Sequence, residues 1–149
     1  MHADEYPNVT TGNGYALASL EDLGEGPGFR KVRRGLGVSA FGVNALVIPP
    51  GIQTGFHSHE LQEELYFVHR GAIEMEFGDG SVERLEEGAF ARVDAPTLRR
   101  VRNVGDVDAV YVCVGGKDGY VGRDGLAPEG EKRVDGPPGA AGAGPASSA

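Results

Sequence analysis

Residues 51–71 read GIQTGFHSHELQEELYFVHRG, and this stretch decides the fold. Side chains alternate across a β-strand, so His57 and His59 project to one face while the residues beside them project to the other. After a short polar turn, Glu64 begins the next predicted strand and is brought back opposite the two histidines. Two neutral imidazoles and one carboxylate, offered from adjacent strands, suit a divalent transition metal whose remaining coordination positions stay open.

The spacing of this stretch resembles the first conserved motif of the cupin family, which places a glycine, His-x-His, a glutamate and a second glycine at set intervals. Gly51, His57, His59, Glu64 and Gly71 occupy all of its fixed positions. The resemblance implies a mononuclear centre of Fe, Mn, Ni or Zn inside a barrel, with His57, His59 and Glu64 as the ligands.

The second motif of the family follows one hairpin later in a degraded form. Gly88–Asn103 resembles it, but Arg99 stands where the motif has its third histidine, and Pro96 stands where it has a glycine. A guanidinium stays protonated and cannot ligate a metal. In a first hypothesis, which we favour, a metal is bound and Arg99 holds an anionic ligand beside it. In a second, Arg99 pairs with Glu64, replaces the positive charge of the metal, and the pocket only binds.

The resemblance implies a small metal-dependent enzyme that acts on a small polar or anionic metabolite, with chemistry of the dioxygenase, isomerase or decarboxylase kind. The alternative is a non-catalytic binding or sensor module, which the missing third histidine favours. Substrate contacts are predicted for Arg99, Tyr66 and Tyr111. The sequence identifies no general acid or base, so no catalytic residue is assigned.

Outside this stretch the chain reads as short strands separated by Gly and Pro turns, with no convincing amphipathic helix between them. The pattern predicts an all-β sandwich or barrel, and the resemblance implies the double-stranded β-helix, or jelly-roll barrel, of the cupins. The predicted strands are Phe29–Arg33, Ala40–Ile48, Glu64–His69, Ile73–Phe77, Ser81–Leu85, Ala89–Val93, Arg99–Asn103 and Ala109–Val114.

One domain is expected, with a segment on either side. Residues 1–28 are predicted to form an N-terminal arm with an edge strand at Tyr15–Leu20, and residues 29–127 to form the barrel. Residues 128–149 contain almost nothing large and apolar, which predicts a disordered tail of Gly, Pro and Ala. Open sheet edges need covering, and barrels of this family commonly pair, so we expect a homodimer in which the arm adds to the sheet of the partner.

Charge and composition narrow the choice of partners. The net charge of −8 and the pI near 4.9 argue against nucleic acid or an anionic membrane surface as the partner, because both require a basic surface. The single cysteine, Cys113, excludes an intrachain disulfide. The start of the sequence does not resemble a signal peptide, and no run of about 18 apolar residues occurs. We therefore expect a cytoplasmic protein that binds a small-molecule ligand.

Overall fold

The computed structural model describes residues 5–128, and most of its elements are short strands. In chain order they are β1 (Thr10–Gly12), β2 (Tyr15–Leu17), a 3₁₀ helix (Leu20–Leu23), β3 (Gly28–Arg30), α1 (Val32–Leu36), β4 (Gly42–Ile48), β5 (Ser58–His59), β6 (Glu63–Arg70), β7 (Ile73–Phe77), β8 (Val82–Leu85), β9 (Phe90–Val93), β10 (Arg99–Asn103), β11 (Ala109–Gly116) and β12 (Gly125–Leu126).

Two larger antiparallel sheets and two small ones hold these strands. The first sheet has the order β3-β4-β11-β6-β9 and the second the order β10-β7-β8. The hairpin β1-β2 and the pair β12-β5 form two-stranded sheets of their own. All pairings between these strands are antiparallel. The prediction of an all-β fold is confirmed.

The inward faces of both larger sheets build one core. On β7, Ile73 and Met75 are fully buried, while Glu74 and Glu76 lie on the opposite face. Full burial of a side chain of this size contributes about 1.5–3 kcal/mol. The same cluster contains residues of six other strands: Leu46, Ile48, Tyr66, Val68, Leu85, Val93, Val101, Ala109, Tyr111 and Cys113. The site residues described below project into this shared interior.

The segment before β4 differs from its prediction. Phe29–Arg33 was expected as one strand, but β3 ends at Arg30 and α1 begins at Val32. The helix ends at Leu36 and is followed by Gly37, whose φ of 74° lies in the left-handed region that favours glycine, and whose amide donates to the carbonyl of Arg33. A helix of five residues is too short to show a helical period in the sequence, so alternation alone could not identify it.

The N-terminal arm also differs in detail. The predicted strand Tyr15–Leu20 ends at Leu17, and a 3₁₀ helix lies at Leu20–Leu23, where the sequence predicted the end of that strand and the start of a loop. This helix packs against α1, because a Cβ on Gly35 would lie 2.5 Å from Cδ2 of Leu23. A Cβ at this position would force the Leu23 side chain to shift, and the contact is a tertiary one that strand patterns do not report.

The predicted strands from residue 40 onward agree with the structure to within two residues at each end. The histidine motif is the exception, because β5 contains only Ser58 and His59, and His57 joins Arg99 through an isolated antiparallel bridge. The predicted domain boundaries at residues 28 and 127 stay predictions. The tail predicted over residues 128–149 lies outside the described residues, apart from Pro128.

Candidate metal site

His57, His59 and Glu64 come together inside the fold. One ligand atom from each lies within 4.8 Å of the others, and all three residues are buried. Nε2 of His59 is 3.3 Å from Oε1 of Glu64, and Nε2 of His57 is 3.9 Å from the same oxygen. The two imidazole rings are nearly perpendicular, with centroids 5.1 Å apart. Both rings therefore direct a nitrogen toward one carboxylate.

Backbone pairing places these side chains. The amides of His57 and Arg99 each donate to the carbonyl of the other, both at 2.9 Å, so the histidine stretch runs beside β10. The amide of His59 donates to the carbonyl of Ala95 at 2.7 Å, which fixes the next inward position. Glu64 is the second residue of β6 and lies on its buried face, whereas Glu63 beside it is exposed. Alternation thus selects Glu64 over its neighbour.

Arg99 lies on the same interior wall and is fully buried. Its Nη2 donates to Oε1 of Glu64 at 2.7 Å. Its Nη1 donates to the carbonyls of Thr97 at 2.7 Å and Ala95 at 3.3 Å. The guanidinium is therefore surrounded by acceptors from the protein itself. This is the contact with Glu64 that the second hypothesis requires, and the Arg99 side chain is not exposed to solvent.

Tyr66 completes the hydrogen bonding around the carboxylate. Its hydroxyl donates to Oε1 of Glu64 at 2.7 Å and accepts a longer hydrogen bond from Nε of Arg99 at 3.3 Å. Tyr111 packs beside it, with ring centroids 5.7 Å apart. Both tyrosines are buried members of the core. The three residues predicted to contact substrate thus lie together, around the metal-ligand candidates.

The charges of this group follow from its burial and contacts. Burial lowers the pKa of His57, so its imidazole is neutral at pH 7. Burial by itself would raise the pKa of Glu64, but the groups that face its carboxylate, among them the guanidinium of Arg99 at 2.7 Å, outweigh burial and hold this pKa well below its usual range. Burial, followed by the charge of Glu64, raises the pKa of Tyr66 well above its usual value. Glu64 is thus an anion, and the Tyr66 hydroxyl keeps the proton that it donates.

Asp124 and Gln62 belong to the site as well, and the sequence reasoning missed both. Oδ1 of Asp124 is 2.7 Å from Nδ1 of His59 and accepts from Nε2 of Gln62 at 2.6 Å. Burial would raise the pKa of Asp124, but hydrogen bonds from Gln62, Leu61 and His59 lower it. Asp124 lies 65 residues beyond His59 in the chain, and no motif spacing joins them. Only the pairing of β12 with β5 brings them together.

The donor set fits a divalent transition metal. Three buried imidazole nitrogens, Nδ1 and Nε2 of His57 and Nε2 of His59, make no hydrogen bond to any residue in the described range. A buried polar atom left without a partner costs about 1–3 kcal/mol. Neutral imidazole nitrogens and a carboxylate oxygen are ligands that Fe, Mn, Ni and Zn accept. A metal bound by this group would satisfy the two Nε2 atoms that face Glu64.

Comparison with known proteins agrees with this geometry. The family model described as the cupin domain matches residues 45–115, from β4 to β11. The chain contains a cupin-type domain. The matched region includes His57, His59, Glu64 and Arg99, and the strands that carry them build the expected cupin barrel. The predicted resemblance and fold class are confirmed.

Solved structures with this fold include proteins of several activities. A sugar phosphate isomerase of the cupin superfamily from Silicibacter pomeroyi is 25% identical, with a TM-score of 0.56, over 68% of this chain and 71% of that one. A cupin protein from Bacteroides fragilis is 20% identical, with a TM-score of 0.57, over 70% and 86%. The DMSP lyase DddQ from Ruegeria pomeroyi is 19% identical, with a TM-score of 0.53, over 63% and 46%.

These matches have limits in length and similarity. The match spans less than half of the DMSP lyase chains, 42% of one and 46% of the other. A search of curated proteins finds no significant match. Within residues 5–128, none of the helices has the length and apolar character needed to cross a membrane. The comparisons therefore establish the cupin fold, and the activity has to be argued from the site.

Proposed function

We propose that this chain binds a divalent transition metal, Fe, Mn, Ni or Zn, through His57, His59 and Glu64. The observation that carries the proposal is the pair of buried Nε2 atoms, which face one carboxylate oxygen and make no hydrogen bond within the described residues. An interior gains nothing from such atoms unless a partner binds them, because their desolvation is otherwise not compensated. A metal is the partner that suits all three ligands.

The charges favour an anionic metabolite as the ligand of this centre. Glu64 and Asp124 contribute two negative charges and Arg99 one positive charge, so the group carries about one net negative charge when the imidazoles are neutral. A divalent metal changes this sum to about one net positive charge, in an interior where a charge needs a partner. A small carboxylate or phosphate would supply the opposite charge. The similar fold of a sugar phosphate isomerase supports a substrate of this class.

The protein groups around the metal have separable roles. The metal, when bound, supplies a Lewis acid or a centre for oxygen activation. Arg99 and Tyr66 hold the carboxylate of Glu64 in place through their hydrogen bonds. Tyr111 packs against Tyr66 and helps to exclude water. Isomerase, lyase, decarboxylase or dioxygenase chemistry is proposed, and the fold alone does not select among these.

Metal analysis tests the proposal directly. Protein purified without chelator is expected to contain close to one equivalent of a transition metal, measured by mass spectrometry of the elements. The double variant His57→Ala with His59→Ala is expected to contain almost none, and a variant of the exposed His69, such as His69→Ala, should retain it. Well under one equivalent in the wild-type protein, also after incubation with each of the four metals, would contradict the proposal.

A second candidate function is a metal-free binding or sensor module. The observation that favours it is the hydrogen-bonded ion pair between Nη2 of Arg99 and Oε1 of Glu64, at 2.7 Å and fully buried. In this function the guanidinium supplies the positive charge that a metal would supply. A thermal-shift screen of small anionic metabolites, run with and without chelator and followed by turnover assays, distinguishes the two. Binding that is unaffected by chelator and never followed by turnover supports the module.

We also propose that the chain acts in the cytoplasm as a homodimer. The β1-β2 hairpin forms a separate sheet with exposed Tyr15 and Leu17, and the outer face of the larger sheet exposes Leu65 and Phe90. An exposed hairpin and an exposed apolar sheet face in one chain fit an exchange of arms between two copies. Light scattering should give the dimer mass at micromolar concentration, and Leu17→Lys should shift it toward the monomer. A wild-type monomer would refute the dimer.

A further inference from the structure

Asp124 lies in the segment after β11, outside the region that the cupin family model matches. We propose that Asp124 is a positioning residue for the metal site: it holds the ring of His59 so that Nε2 presents its lone pair to the metal. The inference rests on the metal-binding function proposed above and adds to it a residue from beyond the matched domain.

The contact between Asp124 and His59 determines which ring nitrogen carries the proton. Oδ1 of Asp124 is 2.7 Å from Nδ1 of His59, a hydrogen-bond distance between two buried side chains. An ionised carboxylate only accepts hydrogen bonds, so Nδ1 must be the donor. The lone pair of a neutral ring then lies on Nε2. A hydrogen bond from one ring nitrogen to a carboxylate is a general way of fixing the tautomer of a metal-binding histidine.

The opposite side of the ring is consistent with this tautomer. Nε2 of His59 lies 3.3 Å from Oε1 of Glu64, yet it makes no hydrogen bond to any described residue. With the proton on Nδ1, a lone pair and a carboxylate oxygen face each other. Two electron-rich atoms in this arrangement repel, and a cation bound to both removes the repulsion. Asp124 therefore makes this side of the site suited to a metal.

Asp124 is itself held rigidly enough to act in this way. Its Oδ2 accepts from the amides of Leu61 at 2.8 Å and Gln62 at 3.0 Å, while Oδ1 also accepts from the side chain of Gln62. The backbone continues into β12, where Gly125 pairs with His59. The carboxylate thus has donors on both oxygens, and its strand is bonded to the strand of the histidine that it contacts.

The other histidine has no such support. Nδ1 of His57 makes no hydrogen bond within the described residues, although His57 is buried, with 6% of its surface exposed. The two imidazoles are therefore not equivalent. We expect the ring of His59 to be held in one tautomer before metal arrives, and Asp124 to be the residue responsible.

The variant Asp124→Asn tests the role with little change in shape. Its amide oxygen is expected to stay with the two backbone donors, so its NH₂ group would face Nδ1 of His59. The ring proton would then move to Nε2 and block the metal. Titration of Zn²⁺ into chelator-stripped protein should show a loss of affinity of about 10-fold to 100-fold. The control Asp106→Asn, at an exposed position, should bind Zn²⁺ as the wild type does.

A second measurement separates positioning from a general structural effect. In ¹⁵N-labelled, metal-free wild-type protein, the ring of His59 should show the tautomer with the proton on Nδ1, and in Asp124→Asn the tautomer with the proton on Nε2. The wild-type spectrum decides the question even if the variant does not fold. A proton on Nε2 in the wild type, or unchanged Zn²⁺ affinity in a folded variant, would overturn the role of Asp124. Absence of Zn²⁺ binding by the wild type would instead overturn the metal site and this inference with it.

Discussion

The two walls of the site present different groups to a metal: one wall carries ligand atoms and the other a positive charge. On the wall formed by β5, β6 and the residue before β5, His57, His59 and Glu64 present ring nitrogens and a carboxylate. On the wall formed by β10, Arg99 presents a fixed positive charge. At about 4 Å such a charge repels each unit of metal charge by roughly 4 kcal/mol at an effective dielectric constant of about 20. The first wall follows the cupin pattern in full, and the second replaces a ligand with a cation.

The difference teaches that a family motif can be complete on one strand and altered on the strand beside it without loss of the fold. Arg99 is accommodated because Glu64, Tyr66 and the loop carbonyls of Thr97 and Ala95 accept its hydrogen bonds. The carboxylate that would bind a metal is thus also the counter-ion of the arginine. A metal bound to Glu64 would therefore have to bind a carboxylate that also pairs with Arg99. Each of the following variants changes the groups that contact this carboxylate.

Removal of Arg99 is expected to have the largest effect. In metal-free protein, Arg99→Ala leaves a buried carboxylate without its counter-ion and should lower the free energy of unfolding by roughly 3–5 kcal/mol. Urea unfolding in the presence of chelator measures this. The control Arg102→Ala removes a half-exposed arginine that pairs with Glu74 on the outer face, and should cost at most about 1 kcal/mol. Equal effects of the two variants would show that the buried ion pair stabilises the fold no more than the exposed one.

Removal of the Tyr66 hydroxyl should have the next largest effect. Tyr66→Phe deletes the donor to Oε1 of Glu64 and leaves the ring in place, so the free energy of unfolding should fall by about 1.5–3 kcal/mol, as for a hydrogen bond to a charged group. Tyr120→Phe, at the surface, is the matched control and should be nearly neutral. If both variants have the same urea unfolding midpoint as the wild type, the hydrogen bond from the Tyr66 hydroxyl to Glu64 does not stabilise the fold.

Conversion of the second wall to the cupin pattern should have the smallest but most specific effect. Arg99→His removes the fixed charge and adds a neutral nitrogen donor, so metal affinity should rise at least about tenfold, or 1.4 kcal/mol. Competition with a chelator of known affinity measures it, with circular dichroism used to check that the variant is folded. Arg99→Ala should gain less, because it removes repulsion without adding a ligand. Unchanged affinity in a folded Arg99→His would mean that Arg99 is remote from the metal.

Much of the fold could be predicted because it depends on a local rule. Ile73 and Met75 alternate with Glu74 and Glu76, and β7 begins and ends where the alternation predicts. In contrast, α1 is stabilised by a left-handed glycine at its end and by the packing of Gly35 against Leu23. Neither feature has a period, so the predicted strand Phe29–Arg33 ran into the first two residues of the helix.

The candidate site likewise has features that a local rule predicts and contacts that only the tertiary structure sets. The spacing of His57, His59 and Glu64 determined which residues share the interior, because alternation and a short turn suffice to bring them together. The resemblance to the second cupin motif also placed Arg99 in the interior, at the position where that motif has its third histidine. The contact of the guanidinium with Glu64 and Tyr66 was decided by the tertiary packing of β10 near β6, because the two strands belong to different sheets.

The sequence by itself therefore determined the antiparallel strands, the buried faces and the identity of the three ligand candidates, since these depend on side-chain period and residue type. Only the tertiary structure decided that Arg99 pairs with Glu64 and that Asp124 contacts His59. These contacts join residues 35 and 65 positions apart. No local rule sets such distances, because they depend on how strands far apart in the chain pair and pack around one interior.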